Sequence, residues 1–305
     1  MNLRNLAIPS WRYVYFKKLP ILRSSVPSVT VAYHRMIISL NQRITRGIII
    51  TFNISYTIIH PVKYDTLARF YKERRNDKTR FDYNRDIDMP GILKAIGSVK
   101  DKTVLDLGCG FGDLASRLSR RGAKKIIGID NSKAMIQLAT EQKIKKCAFQ
   151  VGDMNKKLPF KDNSFDMVVS SLAFHYVKNL KGLYKEIHRV LKKDGMLVFT
   201  TGHPIFDLIN QSPDKIIGFK GPKGKRKIIG NYFDESAKDT RLGALGVMKL
   251  YSYTLETFIM KGIETGFELL GYRDLKPVPS SKNYDKAGYE ATTTLPSFIM
   301  LKFKR

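Results

Sequence analysis

Cysteine is scarce in this chain, which has two among 305 residues, Cys109 and Cys147. Two thiols cannot build a disulfide framework, and neither lies in a run with metal-ligand spacing. The composition excludes the disulfide-rich secreted class and gives no indication of a metal centre. We expect a cytoplasmic protein of a reducing compartment.

Acidic residues are absent from the first 64 positions, which carry nine lysines and arginines. A long apolar run is absent too, because residues 47–59 span about 13 positions and include Asn53, whereas a membrane-spanning helix needs roughly 20. We predict no stable membrane span and treat residues 1–63 as a basic N-terminal extension of uncertain role. It is either an organelle presequence or an anchor, of which a presequence would place the protein in an organelle matrix, or a non-functional extension ahead of an alternative start at Met36.

Acidic residues are outnumbered over the whole chain, which has a net charge of +27. Nine of the basic residues lie in the extension, and six lie in the segment 215–227. A basic surface favours polyanions such as RNA or anionic lipid, although solvated helix faces explain the same excess. RNA is therefore the second partner we consider, after a small-molecule acceptor. The chain does not indicate an oligomeric state.

The glycine pattern lacks one element of a dinucleotide-binding fingerprint. Residues 104–115 read as an apolar strand, three glycines at alternate positions from Gly108, and the start of a helix. A further fingerprint glycine would fall at position 113, where the chain has Asp113, and Asp106 stands two residues before the turn. Two acids would repel a diphosphate but suit a ligand that carries an amine and a sulfonium. The segment therefore favours S-adenosyl-L-methionine over NAD.

Residues 104–115 resemble the first motif of the class I S-adenosylmethionine-dependent methyltransferases, of the small-molecule type similar to methyltransferase domain 11. Later segments match the same family in order and spacing: 126–132, 149–154, 165–176 and 191–199. The resemblance covers about residues 64–305. It implies an α/β, Rossmann-like, doubly wound and mostly parallel seven-stranded sheet with an antiparallel last strand. We assign 64–305 to this domain, with an insertion at 203–253.

The alternation of strand and helix patterns between residues 103 and 200 independently predicts a parallel sheet with helices on both faces. We read 203–253 as a long irregular stretch, followed by a helix at about 254–265. Residues 267–276 and 298–304 read as the closing antiparallel pair of strands.

The candidate cofactor residues lie where strands end. Asp130 ends the second strand about twenty residues after the glycine turn, where a carboxylate accepts both ribose hydroxyls or caps a helix. The resemblance implies that Asp153 accepts from the adenine amine and that Met154 donates its backbone N–H to the ring. We expect Asp106 to orient the turn or to meet the methionine ammonium through water, and Cys109 to be a small turn residue. The full predicted set is Asp106, Gly108, Cys109, Gly110, Asp130, Asn131, Asp153, Met154 and Ser170.

Methyl transfer from a sulfonium mainly requires orientation and a dry pocket, and a general base only if the nucleophile loses its proton early. His175 and His203 follow the fourth and fifth strands and are the candidate catalytic residues, although a packed histidine is the alternative for each. The resemblance implies that a leading helix covers the cofactor. Candidate lid and substrate residues are Tyr64, Tyr71, Arg80 and Tyr232, for which ordinary packing is the alternative.

The substrate class is less determined. Strand four ends in Ser-Ser-Leu-Ala at 170–173 rather than an Asn/Asp-Pro-Pro-aromatic run, which disfavours amino methylation of nucleic-acid bases. The segment is similar to the subgroup that includes ubiquinone and menaquinone biosynthetic methyltransferases. We predict methyl transfer to an O, C or N atom of a small, quinone-like molecule. The alternatives are an RNA methyltransferase and a non-catalytic cofactor-binding assembly factor.

Overall fold

A computed structural model of the protein describes residues 64–77, 79, 81–206, 231–241 and 247–305. The N-terminal extension 1–63, the candidate lid residue Arg80 and the basic segment 215–227 lie outside the described residues. Within the described ranges, no helix has the length and apolar character needed to cross a bilayer.

The described residues contain nine strands: β1 (Thr103–Leu107), β2 (Lys125–Asp130), β3 (Cys147–Val151), β4 (Phe165–Ser171), β5 (Leu191–Gly202), β6 (Ala237–Arg241), β7 (Val247–Tyr251), β8 (Glu268–Asp274) and β9 (Phe298–Lys304). Seven of them form one sheet in the order β3-β2-β1-β4-β5-β9-β8. Strands β1 to β5 pair in parallel, and β9 runs antiparallel to both β5 and β8. The predicted fold class is confirmed.

Helices cover both faces of this sheet. They are α1 (Tyr64–Asn76), a π-helical turn (Asn84–Asp88), α2 (Met89–Ile96), α3 (Asp113–Arg120), α4 (Lys133–Glu141), α5 (Leu180–Val190), α6 (Leu255–Ile263) and α7 (Lys286–Thr294), with short 3₁₀ turns at Phe174–Tyr176 and Pro279–Asn283. Apolar side chains of α2 and α3 form one buried cluster with the sheet, and those of α5 and α6 form another on the opposite face.

Strand β1 shows why the sheet forms here. Val104, Leu105 and Leu107 are fully buried, because a parallel strand with helices on both faces is apolar on both sides. Burying each side chain contributes about 1.5–3 kcal/mol. Asp106 interrupts this apolar run and is also buried, so a charged residue type lies inside the core beside the glycine turn.

The prediction that 203–253 is irregular throughout is wrong for its described end. Strands β6 and β7 form an antiparallel pair outside the main sheet. Met248 and Leu250 are buried whereas Lys249 between them is exposed, which is the two-residue period of a half-buried strand. A five-residue alternation beside a glycine- and lysine-rich run is too short a signal to outweigh its neighbours.

Candidate active site

The glycine turn lies at the carboxyl end of β1, where parallel α/β sheets bind ligands. Gly108 has a φ of 71°, and a Cβ there would lie 2.4 Å from the Cβ of Ala173. The Gly108 and Cys109 amides donate to the Ile129 carbonyl at 2.8 and 3.0 Å. These hydrogen bonds fix the turn against β2, and the space at position 108 admits no side chain larger than that of glycine. Burial raises the pKa of the Cys109 thiol well above its ordinary value, which keeps the thiol protonated and poorly nucleophilic.

Asp130 connects the glycine turn to the helix that follows β2. Its two carboxylate oxygens accept from the backbone amides of Gly110 and Ser132, both at 2.9 Å. The Ser132 hydroxyl in turn caps α4 by accepting from the Met135 amide. Burial raises the pKa of Asp130, and these backbone donors oppose that rise. A carboxylate has about four lone-pair sites, so capacity for ribose hydroxyls remains.

Asp106 is a buried carboxylate with no hydrogen-bond partner for either oxygen. Burial, followed by the nearby charges of Asp130 and Asp113, raises its pKa to about 8. An unsatisfied buried acid costs free energy unless a donor reaches it. A cationic ligand such as an ammonium group would favour the ionised form of Asp106 and supply the missing donor, so this part of the site fits S-adenosyl-L-methionine.

The other predicted cofactor residues have mixed environments. Asp153 follows β3 and accepts from the Asn155 amide at 2.9 Å, and Met154 packs partly buried against the core. Asn131 is exposed. The Ser170 hydroxyl donates to the Leu107 carbonyl at 2.8 Å, so it ties β4 to β1. Their roles toward a cofactor stay predictions.

Helix α1 lies over this edge and is held by polar contacts at both ends. Tyr64 and Tyr176 share a hydroxyl–hydroxyl hydrogen bond of 3.0 Å. Asp65 accepts from the Ser132 hydroxyl at 2.7 Å, and Arg75 pairs with Asp113 at 2.9 Å. Sequence reasoning singled out Tyr64 but missed Asp65 and Arg75, because a charge on a helix surface is usually solvated.

Tyr71, the second predicted aromatic of α1, packs edge-on against Phe111 with ring centroids 6.2 Å apart. Its hydroxyl accepts from the Asn84 side-chain amide at 2.7 Å. Tyr232 is placed elsewhere, because its hydroxyl accepts from the Leu255 amide at the start of α6. The described contacts therefore bring Tyr64 and Tyr71 to the glycine turn but do not bring Tyr232 there.

The two candidate catalytic histidines are packed by protein groups. His175 Nδ1 lies 3.3 Å from the Thr201 hydroxyl, and burial lowers the pKa of this imidazole to about 4. His203 Nδ1 accepts from the Ile205 amide at 3.1 Å, and its Nε2 lies 3.3 Å from Asp274 Oδ1. Both nitrogens of His203 are thus engaged, and burial is the main cause that lowers its pKa. This geometry suits positioning better than proton transfer.

A fully buried aspartate that the sequence did not single out lies at the same edge. Asp88 Oδ2 accepts from the Ser171 hydroxyl at 2.5 Å, and Oδ1 has no partner. In the sequence, Asp88 precedes Met89 and Pro90 and looks like an ordinary helix N-cap. Because this pattern is common at helix starts, the sequence does not predict that Asp88 lies beside the ends of β4 and β5.

The central part of this chain, which carries the glycine turn, is similar to known methyltransferases in sequence and in structure. The methyltransferase domain family matches residues 105–199. An S-adenosylmethionine-dependent methyltransferase of Mesorhizobium loti superposes with a TM-score of 0.62 at 27% identity, over 72% of this chain and 97% of the other.

Two curated relatives differ in the reactions they are named for. The chain is 34% identical to the demethylmenaquinone methyltransferase of Thermotoga maritima over 45% of this chain and 55% of that protein. It is 32% identical to the mitochondrial arginine-hydroxylase of Homo sapiens over 41% of this chain and 36% of that protein. The chain thus matches about half or less of these relatives' length.

Proposed function

This chain contains a class I S-adenosylmethionine-dependent methyltransferase domain, and from that premise we propose that it methylates an O, C or N atom of a small-molecule acceptor. The observation that carries the proposal is the glycine turn between two acids, the buried Asp106 and the partly buried Asp130. Asp130 accepts a hydrogen bond from the Gly110 amide of the turn, and neither oxygen of Asp106, two residues before the turn, has a hydrogen-bond partner. These carboxylate acceptors suit a ligand that donates hydrogen bonds from ribose hydroxyls and an ammonium group.

The residues that would hold the cofactor are Asp130 for the ribose, Asp106 for the ammonium, and Asp153 with Met154 for the adenine. The cofactor supplies an activated methyl group on its sulfonium. The protein then has to orient the acceptor and exclude water. Helix α1 is suited to the second task because its Tyr64 and Tyr71 side chains are partly buried and pack against a cluster that includes Phe111 of the glycine turn.

Several apolar and aromatic groups support an uncharged, quinone-like acceptor. Tyr64 and Tyr71 pack edge-on with centroids 5.6 Å apart, and Tyr64 packs likewise on Tyr176 at 6.0 Å. The Tyr176 hydroxyl contacts the Met248 sulfur at 3.6 Å. The relative that acts on demethylmenaquinone supports the same class of acceptor.

The test is a methyl-transfer screen with S-adenosylmethionine labelled in its methyl group. The full chain is incubated with a 1,4-naphthoquinol, a lipid extract, a polar metabolite extract and total RNA. We expect label in an organic-soluble or small polar product together with S-adenosylhomocysteine. Label confined to RNA would contradict the small-molecule proposal. Cofactor binding without any turnover would favour the non-catalytic alternative.

A basic groove supports RNA as the second candidate for the methyl acceptor. A cavity of about 320 Å³ beside α3 is lined by several cations, among them Lys72, Arg117 and Arg120, with Asp113 as the acid among its lining residues. Phosphate contacts release counterions, so RNA binding would weaken steeply with salt. A steep salt dependence of RNA binding, with label transferred to RNA, would support this alternative.

A further inference from the structure

Asp88 is the last residue of the π-helical turn Asn84–Asp88, which continues without a break into α2. It has a helical backbone conformation, and its side chain makes no capping hydrogen bond. The Asp88 carboxylate instead turns toward the end of β4 and accepts from Ser171 at 2.5 Å.

The backbone ahead of Asp88 has the geometry that aims it there. Residues 84–88 form a π-helical turn rather than an α-helical one. Such turns are rare and occur frequently at functional sites. The turn runs directly into α2, since the Met89 amide donates to the Asn84 carbonyl, and it buries three successive side chains, Asp86, Ile87 and Asp88. A π-helical turn thus delivers an acidic side chain into the protein interior.

Asp88 and Asp86 differ in how many hydrogen bonds their carboxylate oxygens accept. Asp86 receives two charged hydrogen bonds of 2.8 Å from Arg85 and another from the Tyr284 hydroxyl. Asp88 has one oxygen on Ser171 and the other with no partner. Asp86 is therefore a satisfied structural carboxylate, whereas Asp88 retains an unused acceptor inside the protein.

The unused oxygen lies inside the protein at the carboxyl edge of the sheet, the edge at which open α/β sheets bind their ligands. Ser171 and Thr200 are paired residues at the ends of β4 and β5, and the Thr200 hydroxyl also faces the Asp88 carboxylate. Leu172, the next residue, has a φ of 52°, a strained conformation for a branched side chain. Asp88 is thus at the carboxyl edge of the sheet, on the side covered by α2.

The charges around Asp88 are few and mixed. Arg75 of α1 favours its ionised form, and Asp113 of α3 opposes it. Tyr71 of α1 also lies within its electrostatic reach. Burial is the dominant effect and raises the pKa of Asp88 above its ordinary value. A carboxylate in this setting is a stronger base than one in water.

We propose that Asp88 accepts the proton of the methyl acceptor, and that this acceptor therefore bears an ionisable O–H group. This inference rests on the proposed function, and it adds which group takes the O–H proton of the methyl acceptor. The acceptor nucleophile forms a bond to the methyl carbon while the methyl–sulfur bond breaks and its electron pair stays on sulfur. The O–H proton moves to Asp88 Oδ1, so the sulfonium becomes a neutral thioether and the carboxylate a carboxylic acid.

The test uses the full chain, labelled S-adenosylmethionine and phenols of graded acidity from 4-methoxyphenol to 4-nitrophenol. Asp88→Asn keeps the shape of the side chain but cannot accept a proton. We expect kcat/KM to fall about 100- to 10,000-fold for the least acidic phenol, the usual range for loss of a general base. The loss shrinks for 4-nitrophenol, which ionises without help. In the wild type, kcat/KM rises with pH as Asp88 loses its proton, and Asp88→Asn lacks that rise.

Asp86→Asn is the matched control, because it alters a buried aspartate of the same turn that holds Arg85 and Tyr284. We expect it to lower stability and leave the pH profile unchanged per folded molecule. Equal losses across the phenol series, or an unchanged rate in Asp88→Asn, would overturn the assignment while leaving the methyltransferase activity established. A wild type that methylates no phenol overturns it as well. The proposed function fails only if the extract screen is also negative.

Discussion

The two halves of the carboxyl edge of this sheet are built differently. Over β1 and β2, the glycine turn and Asp130 come from a short stretch of chain and bond to each other through the Gly110 amide. Over β4 and β5, the groups come from distant parts of the chain, since Ser171 meets Asp88 across 83 positions. We propose that the first half holds the cofactor and that the second half, whose groups only folding brings together, holds the acceptor.

The largest effect expected in the cofactor half is on stability and follows from Asp106. The folded protein keeps the Asp106 proton up to a pKa of about 8, whereas the unfolded chain releases it near pH 4. The folded state binds more protons in this window, so the free energy of unfolding falls as pH rises from about 4 to about 8. Asp106→Asn lacks this slope, and we expect it to be more stable than the wild type at pH 8 by up to several kcal/mol.

Urea unfolding at about pH 4.5, near the pKa of Asp106 in the unfolded chain, and at about pH 8, near its pKa in the folded protein, measures this slope. Asp162→Asn, an exposed aspartate paired with Arg189, is the control and should follow the wild type. Parallel wild-type and Asp106→Asn curves would show that Asp106 is not a buried, unsatisfied acid.

Asp130→Ala tests the cofactor half of the edge, because it removes the carboxylate that connects the glycine turn to the start of α4. We expect a loss of roughly 1–3 kcal/mol in the affinity for S-adenosylhomocysteine, because the ribose hydroxyls and the Gly110 amide lose their acceptor. Calorimetric titration measures it. Asp162→Asn again serves as the control. Equal affinities of wild type and Asp130→Ala would remove Asp130 from the cofactor site.

His203→Ala addresses the acceptor half. The contacts of His203 are with Ile205, Asp274 and the Ser297 carbonyl, none of which lies in the glycine turn. We therefore expect turnover to fall more than cofactor affinity, together with a stability loss of about 1–2 kcal/mol from the broken hydrogen bonds. Kinetics and calorimetry on the same preparation separate the two. Unchanged turnover would make His203 a purely structural residue.

The sequence predicts the β1–β2 half of the carboxyl edge better than the β4–β5 half. The glycine turn and the position of Asp130 could be predicted because a strand, a turn and a helix start lie within one short segment. Asp88 could not, because an aspartate before Met-Pro has the same signature whether it caps a helix or faces the sheet. The pair of β6 and β7 was missed because short alternation is ambiguous. Long-range pairs such as Arg75 with Asp113 leave no local pattern.

Deletion of residues 1–63 has the smallest expected effect. The glycine turn and the acids around it lie downstream, so we expect the truncated chain to bind S-adenosylhomocysteine with unchanged affinity. Calorimetry on the truncated and full-length chains makes the comparison. A truncated protein that fails to fold or loses the cofactor would place the domain boundary before residue 64.

The central claim is that two acids beside the glycine turn select a cationic nucleoside ligand over a dinucleotide. Titration calorimetry of the full chain with S-adenosylmethionine and, separately, with NAD tests it most directly. We predict one saturable site for S-adenosylmethionine and no measurable binding of NAD under the same conditions. Saturable binding of NAD with no response to S-adenosylmethionine would contradict the account.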